Sequence, residues 1–92
     1  MVTRAEVYAA LDSERSYQNV RWNRDTTETG GIHENLADWI LYMQDYLIEA
    51  VHQLSRNGEP GATQMALNTV RKVTALGVAA MEQLGAPRRD GY

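Results

Sequence analysis

The 92-residue chain has no cysteine, only two prolines, and not one lysine or arginine between residues 25 and 55. Without cysteine there is neither a disulfide framework nor a thiolate metal site, and a reducing, intracellular compartment is expected. No apolar run approaches the roughly 20 residues that cross a bilayer. The opening "MVTRAEVY" has no apolar secretion stretch, so a soluble protein with no membrane partner is expected. The missing basic residues divide the net charge of −3 unevenly. Residues 25–55 carry Asp25, Glu28, Glu34, Asp38, Asp45 and Glu49 unopposed. The flanks are mildly basic, through Arg4, Arg15, Arg21 and Arg24 before and Arg56, Arg71, Lys72, Arg88 and Arg89 after. This argues against a broad surface for DNA or RNA, which needs many neutralising contacts along one face, but permits a small anion held by a few arginines. A glycine-rich phosphate loop is also missing, since "GG" at 30 and 31 reads as a turn. None of Ser13, Ser16, Ser55 or the threonines sits in a strand-turn-helix elbow or near a patterned base, so no enzyme is expected.

What is present reads as a single all-α domain near the size where one core is barely sufficient. Thr3 and Glu6 have the spacing at which each side chain satisfies the other residue's free N–H, announcing a short helix over about 3–17 with Val7, Ala10 and Leu11 on one face. The stretch 18–33 is rich in turn formers and is expected to be an ordered loop, anchored by Val20 and Trp22. A second helix is expected over about 34–56. Leu36, Trp39, Ile40, Met43, Leu47, Ala50, Val51 and Leu54 recur at helical spacing, and Leu41 and Ile48 widen the apolar arc beyond one stripe. Its polar side narrows to Asp38, Tyr42, Asp45, Glu49 and His52. "SRNGEPG" supplies turns that bring a third helix, about 62–84, back antiparallel to the second. Gly85 is placed for a left-handed cap, Pro87 for a stop, and a basic tail occupies 86–92.

The third helix loses its wet side at "TALGVAAM", residues 74–81, which contains no charge and one hydroxyl. One short helix and one long partner cannot surround two helices of this kind. Each large apolar side chain left in water would forgo about 1.5–3 kcal/mol, so further copies of the chain are the most economical cover. A symmetric homo-oligomer is expected.

Two constellations bear on chemistry. Glu49 and His52 have the Glu-x-x-His spacing of carboxylate-bridged metal bundles, but such a site needs further carboxylates and a second copy of the motif. The pair therefore reads as part of a solvated band, with no metal and no cofactor expected, and His33 as a residue that helps the second helix begin. Tyr8, with Arg21, Arg24, Thr26 and Thr27, combines a stacking ring, guanidinium groups and hydroxyls, a set suited to a small nucleotide. Tyr8 equally fits plain packing beside an apolar stripe.

Three segments carry a family likeness over nearly the whole chain: "ERSYQNVRWN" (14–23), "LYMQDYLIEA" (41–50) and "TVRKVTALGVAAMEQLGAPRR" (69–89). Together they resemble the small phage anti-CBASS sponges of the second type, which sequester cyclic oligonucleotide messengers of bacterial immunity. The resemblance implies a helical protomer, a homohexamer, and binding without cleavage in the cytoplasm of the infected bacterial host. It also implies two pockets. The cyclic dinucleotide pocket, between paired protomers, would use Tyr8 with Arg24, Thr26 and Thr27, Arg21 and Asn23 being alternatives for the phosphate contact. The cyclic trinucleotide pocket, near a threefold axis, would use Arg71 and Thr74. Repeating a few arginines around symmetry axes is expected to concentrate positive potential that an acidic monomer lacks. "ERSYQNVRWN" is also similar to the opening of MazG-like nucleotide pyrophosphohydrolases. Their magnesium-binding carboxylate pairs would have to come from Asp38, Asp45, Glu49 and Glu82, which do not form the pattern. A non-catalytic oligomeric adaptor is the remaining alternative.

Overall fold

The computed structural model describes residues 1–21, 35–55 and 59–90. Within them every regular element is a helix: α1 is Arg4–Arg21, α2 is Leu36–Leu54 and α3 is Ala62–Leu84. None of these helices is long and apolar enough to cross a membrane.

Local chemistry accounts for the ends. At the start of α1 the Thr3 backbone N–H donates to Glu6 Oε1 at 3.0 Å and the Glu6 N–H donates to Thr3 Oγ1 at 3.1 Å, the reciprocal cap that the spacing predicts. These bonds favour the ionised carboxylate and hold the Glu6 carboxyl below its ordinary value. The helix runs through Arg21 instead of ending at Tyr17. No breaker interrupts Gln18, Asn19 and Val20, Gln18 is buried, and Arg15 reaches one turn ahead to Asn19 Oδ1 at 2.9 Å. The rest of the expected loop, from Trp22 to His33, lies outside the described residues, as do 56–58 of the turn and 91–92 of the tail.

Helix α2 is capped by Asn35, whose side chain accepts from the Asp38 N–H at 2.9 Å while Asp38 accepts from the Asn35 N–H at 3.4 Å. Helix α3 has the expected bounds. Gly61 enters it with φ of 82°, and Gly85 leaves it with φ of 125° and ψ of 150°, positive in φ but not the left-handed helical cap expected, while its N–H donates to the Met81 carbonyl at 2.9 Å. Both positions demand a backbone that side-chain-bearing residues avoid.

Helix α3 packs against both other helices, while α1 and α2 do not pack on each other. Against α2 the core is small: Trp39, Leu76, Ala79 and Ala80, with Met43 packed on the edge. Polar pins mark both ends of that seam. Trp39 Nε1 donates to Gln83 Oε1 at 3.3 Å, and the buried Thr69 hydroxyl donates to Gln53 Oε1 at 2.9 Å. Against α1 the contact is mostly polar, through Glu14, Arg15 and Gln18.

Thr3→Ala should lower stability by about 1 kcal/mol, read from chemical denaturation at neutral pH. Because the folded pKa of Glu6 is depressed, its contribution is present above the ordinary value of 4.5 and is lost as pH falls through the lower folded value. The Thr3→Ala penalty should therefore shrink on acidification below that window.

Candidate functional site

Two adjoining surfaces of α3 differ sharply in chemistry. The first is dry. Leu67, Val70, Thr74, Gly77, Met81 and Leu84 follow one another at steps of three and four, a heptad seam three turns and more in length. Leu67, Val70, Met81 and Leu84 are all exposed, with Leu67 at 55%. On α2 the exposed Leu36, Ile40, Leu47, Val51 and Leu54 form a second stripe, offset from the Trp39–Ala50 face that meets α3. Met43 joins the two stripes: its Cε lies 3.4 Å from where a Cβ on Gly77 would sit. The resulting face carries no charged residue.

The second surface is polar and joins α3 to α1. Glu14 is nearly out of water, its side chain 8% exposed, and its Oε1 accepts from Arg71 Nε at 2.8 Å. Asn68 Oδ1 accepts from Arg71 NH1, also at 2.8 Å. Of the five guanidinium N–H groups, two are thus committed, and three have no partner among the described residues. The Arg71 side chain is 36% exposed, so solvent reaches part of it. Thr74 is exposed and donates to the Val70 carbonyl at 2.7 Å, leaving its oxygen lone pairs as acceptors toward the dry seam. Arg71 and Thr74 are about 60° apart around the helix, so the guanidinium stands at the rim of the seam and the hydroxyl within it. The pairing with Glu14 changes one expectation: every copy of Arg71 brings a carboxylate with it, so gathering copies around an axis does not by itself accumulate positive charge there.

Alongside, Arg15 NH2 lies 2.6 Å from Glu82 Oε1, and Gln18 Nε2 reaches the Lys72 carbonyl at 3.5 Å. Glu14, Asn68 and Gln18 have no place in a reading of the sequence as one apolar stripe per helix. The available signal is the row Val7, Leu11, Glu14, Gln18, in which two polar residues continue an apolar face at steps of four and three.

For the dinucleotide set, Tyr8 is exposed on α1, whereas Arg24, Thr26 and Thr27 lie outside the described residues. Arg21, the alternative phosphate contact, ends α1 thirteen residues from Tyr8, about 20 Å along the axis. Within one chain these two do not converge on one small ligand. The acids of α2 remain a band along that helix, and among the described residues no three His, Cys, Asp or Glu side chains group as a metal site. Compared with known families, curated proteins and solved structures, the chain matches no family model, no curated protein and no solved structure.

Removing either of the two cross-helix carboxylates should give unequal results. Glu14→Ala strands half of a largely buried, hydrogen-bonded pair and should lower stability by about 1–3 kcal/mol, moderated by the exposure of Arg71. Glu82→Ala, at a side chain 54% exposed, should change it by less than about 0.5 kcal/mol in the same denaturation experiment.

Proposed function

We propose that this protein binds and sequesters cyclic di- and trinucleotide messengers without cleaving them, as an oligomer of identical helical protomers, and so blocks activation of CBASS effectors in the infected bacterial cell. The observation that carries the reading is the uncharged face shared by α2 and α3, with Arg71 and Thr74 at its edge. A second copy of the chain is the occupant that suits this face. It presents the same uncharged heptad seam, so self-pairing buries apolar surface without stranding any charge.

In this arrangement α2 and α3 form an antiparallel hairpin, a reading supported by the pins from Trp39 to Gln83 and from Gln53 to Thr69. The oligomer, a hexamer by the family resemblance, creates two kinds of seam. In one, Arg71 and Thr74 of several chains face a cyclic trinucleotide, and the ligand's own symmetry matches equivalent donors. In the other, Tyr8 of one protomer stacks on a base of a cyclic dinucleotide while Arg24, Thr26 and Thr27 reach its phosphate from a paired protomer. The separation of Tyr8 from the far end of α1 favours such sharing between chains over a pocket within one. Sequestration needs no chemistry: tight binding lowers the free messenger, and its receptor falls silent. The rival reading, a MazG-like pyrophosphohydrolase, draws no support from the scattered acids of α2 and α3. An adaptor would use the same dry face but has no use for open guanidinium donors beside it.

Thermal melting with a panel of cyclic di- and trinucleotides tests the function. At a hundredfold excess over Kd the midpoint should rise by roughly 10 °C or more, without added metal, and chromatography after heating should return the ligand intact. Cleaved product would favour the enzyme, and no shift with any cyclic nucleotide would favour the adaptor. The assembly is tested by Val70→Lys. In a monomer this half-exposed position tolerates lysine within about 0.5 kcal/mol. In the oligomer the change buries charge, and light scattering should report dissociation or loss of folded protein. A folded assembly of unchanged mass would contradict the proposed interface.

A further inference from the structure

The pairing of Arg71 with Glu14 bears on which anions the Arg71 site accepts. Nucleoside triphosphates abound wherever cyclic messengers act, and their terminal phosphates carry close to two negative charges at neutral pH. A cyclic oligonucleotide offers only phosphodiester groups, each with one. A bare guanidinium attracts the more highly charged anion more strongly, which is the wrong preference for a messenger trap.

We infer that Glu14 is a charge filter at Arg71, which lets the guanidinium hold a phosphodiester monoanion while removing the advantage of multiply charged phosphates. This rests on the proposed function in taking Arg71 as the phosphate contact. Three features carry it. Glu14 is withdrawn from water to 8% side-chain exposure, so solvent screens its charge poorly. It accepts from Nε, on the side edge of the guanidinium, and Asn68 holds one NH1 donor, so the plane is fixed and the open donors are fixed with it. And the pair is neutral, with the carboxylate only one guanidinium away from any bound phosphate.

The selectivity follows from how the two forces scale. Attraction to Arg71 and repulsion from Glu14 both grow in proportion to the ligand's charge, so for the neutral pair they largely offset each other. Short, directional hydrogen bonds from the open N–H groups then weigh more in binding, and the non-bridging oxygens of a diester meet the geometry these bonds require. Asn68 supplies the second anchor without adding charge, so orientation is retained and the field is not made more negative. Thr74, within the seam, has its hydroxyl hydrogen committed to the Val70 carbonyl and offers only lone pairs, which suit ligand N–H or O–H groups and not a phosphate.

Glu14→Gln separates charge from orientation, because the amide oxygen can still accept from Nε. Isothermal titration at low ionic strength with inorganic tripolyphosphate, ATP and a cyclic trinucleotide reads the effect. Glu14→Gln should bind tripolyphosphate and ATP at least about tenfold more tightly than the native protein does, with a steeper salt dependence. Its gain for the cyclic trinucleotide, per phosphate contacted, should be clearly smaller than its gain for tripolyphosphate, and the polyphosphate gain should vanish in the Glu14→Gln/Arg71→Gln double variant. Asn68→Asp, which keeps the acceptor and adds a charge, moves affinity the other way and should weaken all three ligands, most of all tripolyphosphate. The filter is refuted if tripolyphosphate binds the native and Glu14→Gln proteins alike, if the gain survives loss of Arg71, or if the cyclic ligand gains as much as the polyphosphates. Should the native protein bind no cyclic trinucleotide, the proposed function falls, and the tripolyphosphate arm still decides whether Glu14 gates Arg71. If Glu14→Gln fails to fold, Asn68→Asp alone carries the test, and unchanged or tighter tripolyphosphate binding there would overturn the filter.

Discussion

Helix α3 has to satisfy two dissimilar neighbours at once, because α1 and α2 touch it and not each other. Toward α2 it offers small residues, Ala79 and Ala80 beside Leu76, so that one large side chain, Trp39, can be almost wholly enclosed. Toward α1 it offers Arg71, Glu82 and the Lys72 carbonyl, and the matching residues are Glu14, Arg15 and Gln18. A helix divided in this way has about a third of its circumference left. That third is Leu67, Val70, Thr74 and Met81, exposed in the described chain, with Gly77 partly covered by Met43.

The same division sets the electrostatics. The apolar face and the arginine are neighbours because they occupy adjacent arcs of one helix, so anything that covered the face would also border the rim where Arg71 stands. The charge there is locally balanced, since Glu14 pairs with the guanidinium.

Helix α1 is the least firmly held of the three. It buries Glu14 and Gln18 and no large apolar side chain, with Leu11 only partly covered. Its attachment depends on directional bonds that water and salt can compete for, whereas α2 is held by an apolar cluster. A ligand contacting Arg71 would thus act on the element that keeps α1 in place, linking site occupancy to the order of the helix that carries Tyr8.

Much of this architecture is readable in the sequence because it depends on residues within one turn of each other. Thr3 with Glu6 caps α1, Gly85 ends α3, and the steps of three and four from Leu36 to Leu54 identify α2 as a helix with too much apolar surface for one neighbour. The end of α1 was not readable, since Gln18 to Arg21 include no breaker and are held in part by a contact to Lys72, 54 residues away. Nor was the state of Arg71. Periodicity places it on an arc of α3 but cannot say that Glu14, 57 residues earlier, turns toward it. Helix formation is a local equilibrium of hydrogen bonds and side-chain freedom, and the sequence alone determines it here. Which arc meets which, and which charge finds a partner, depends on distances that exist only once the helices are packed, and there tertiary structure decided.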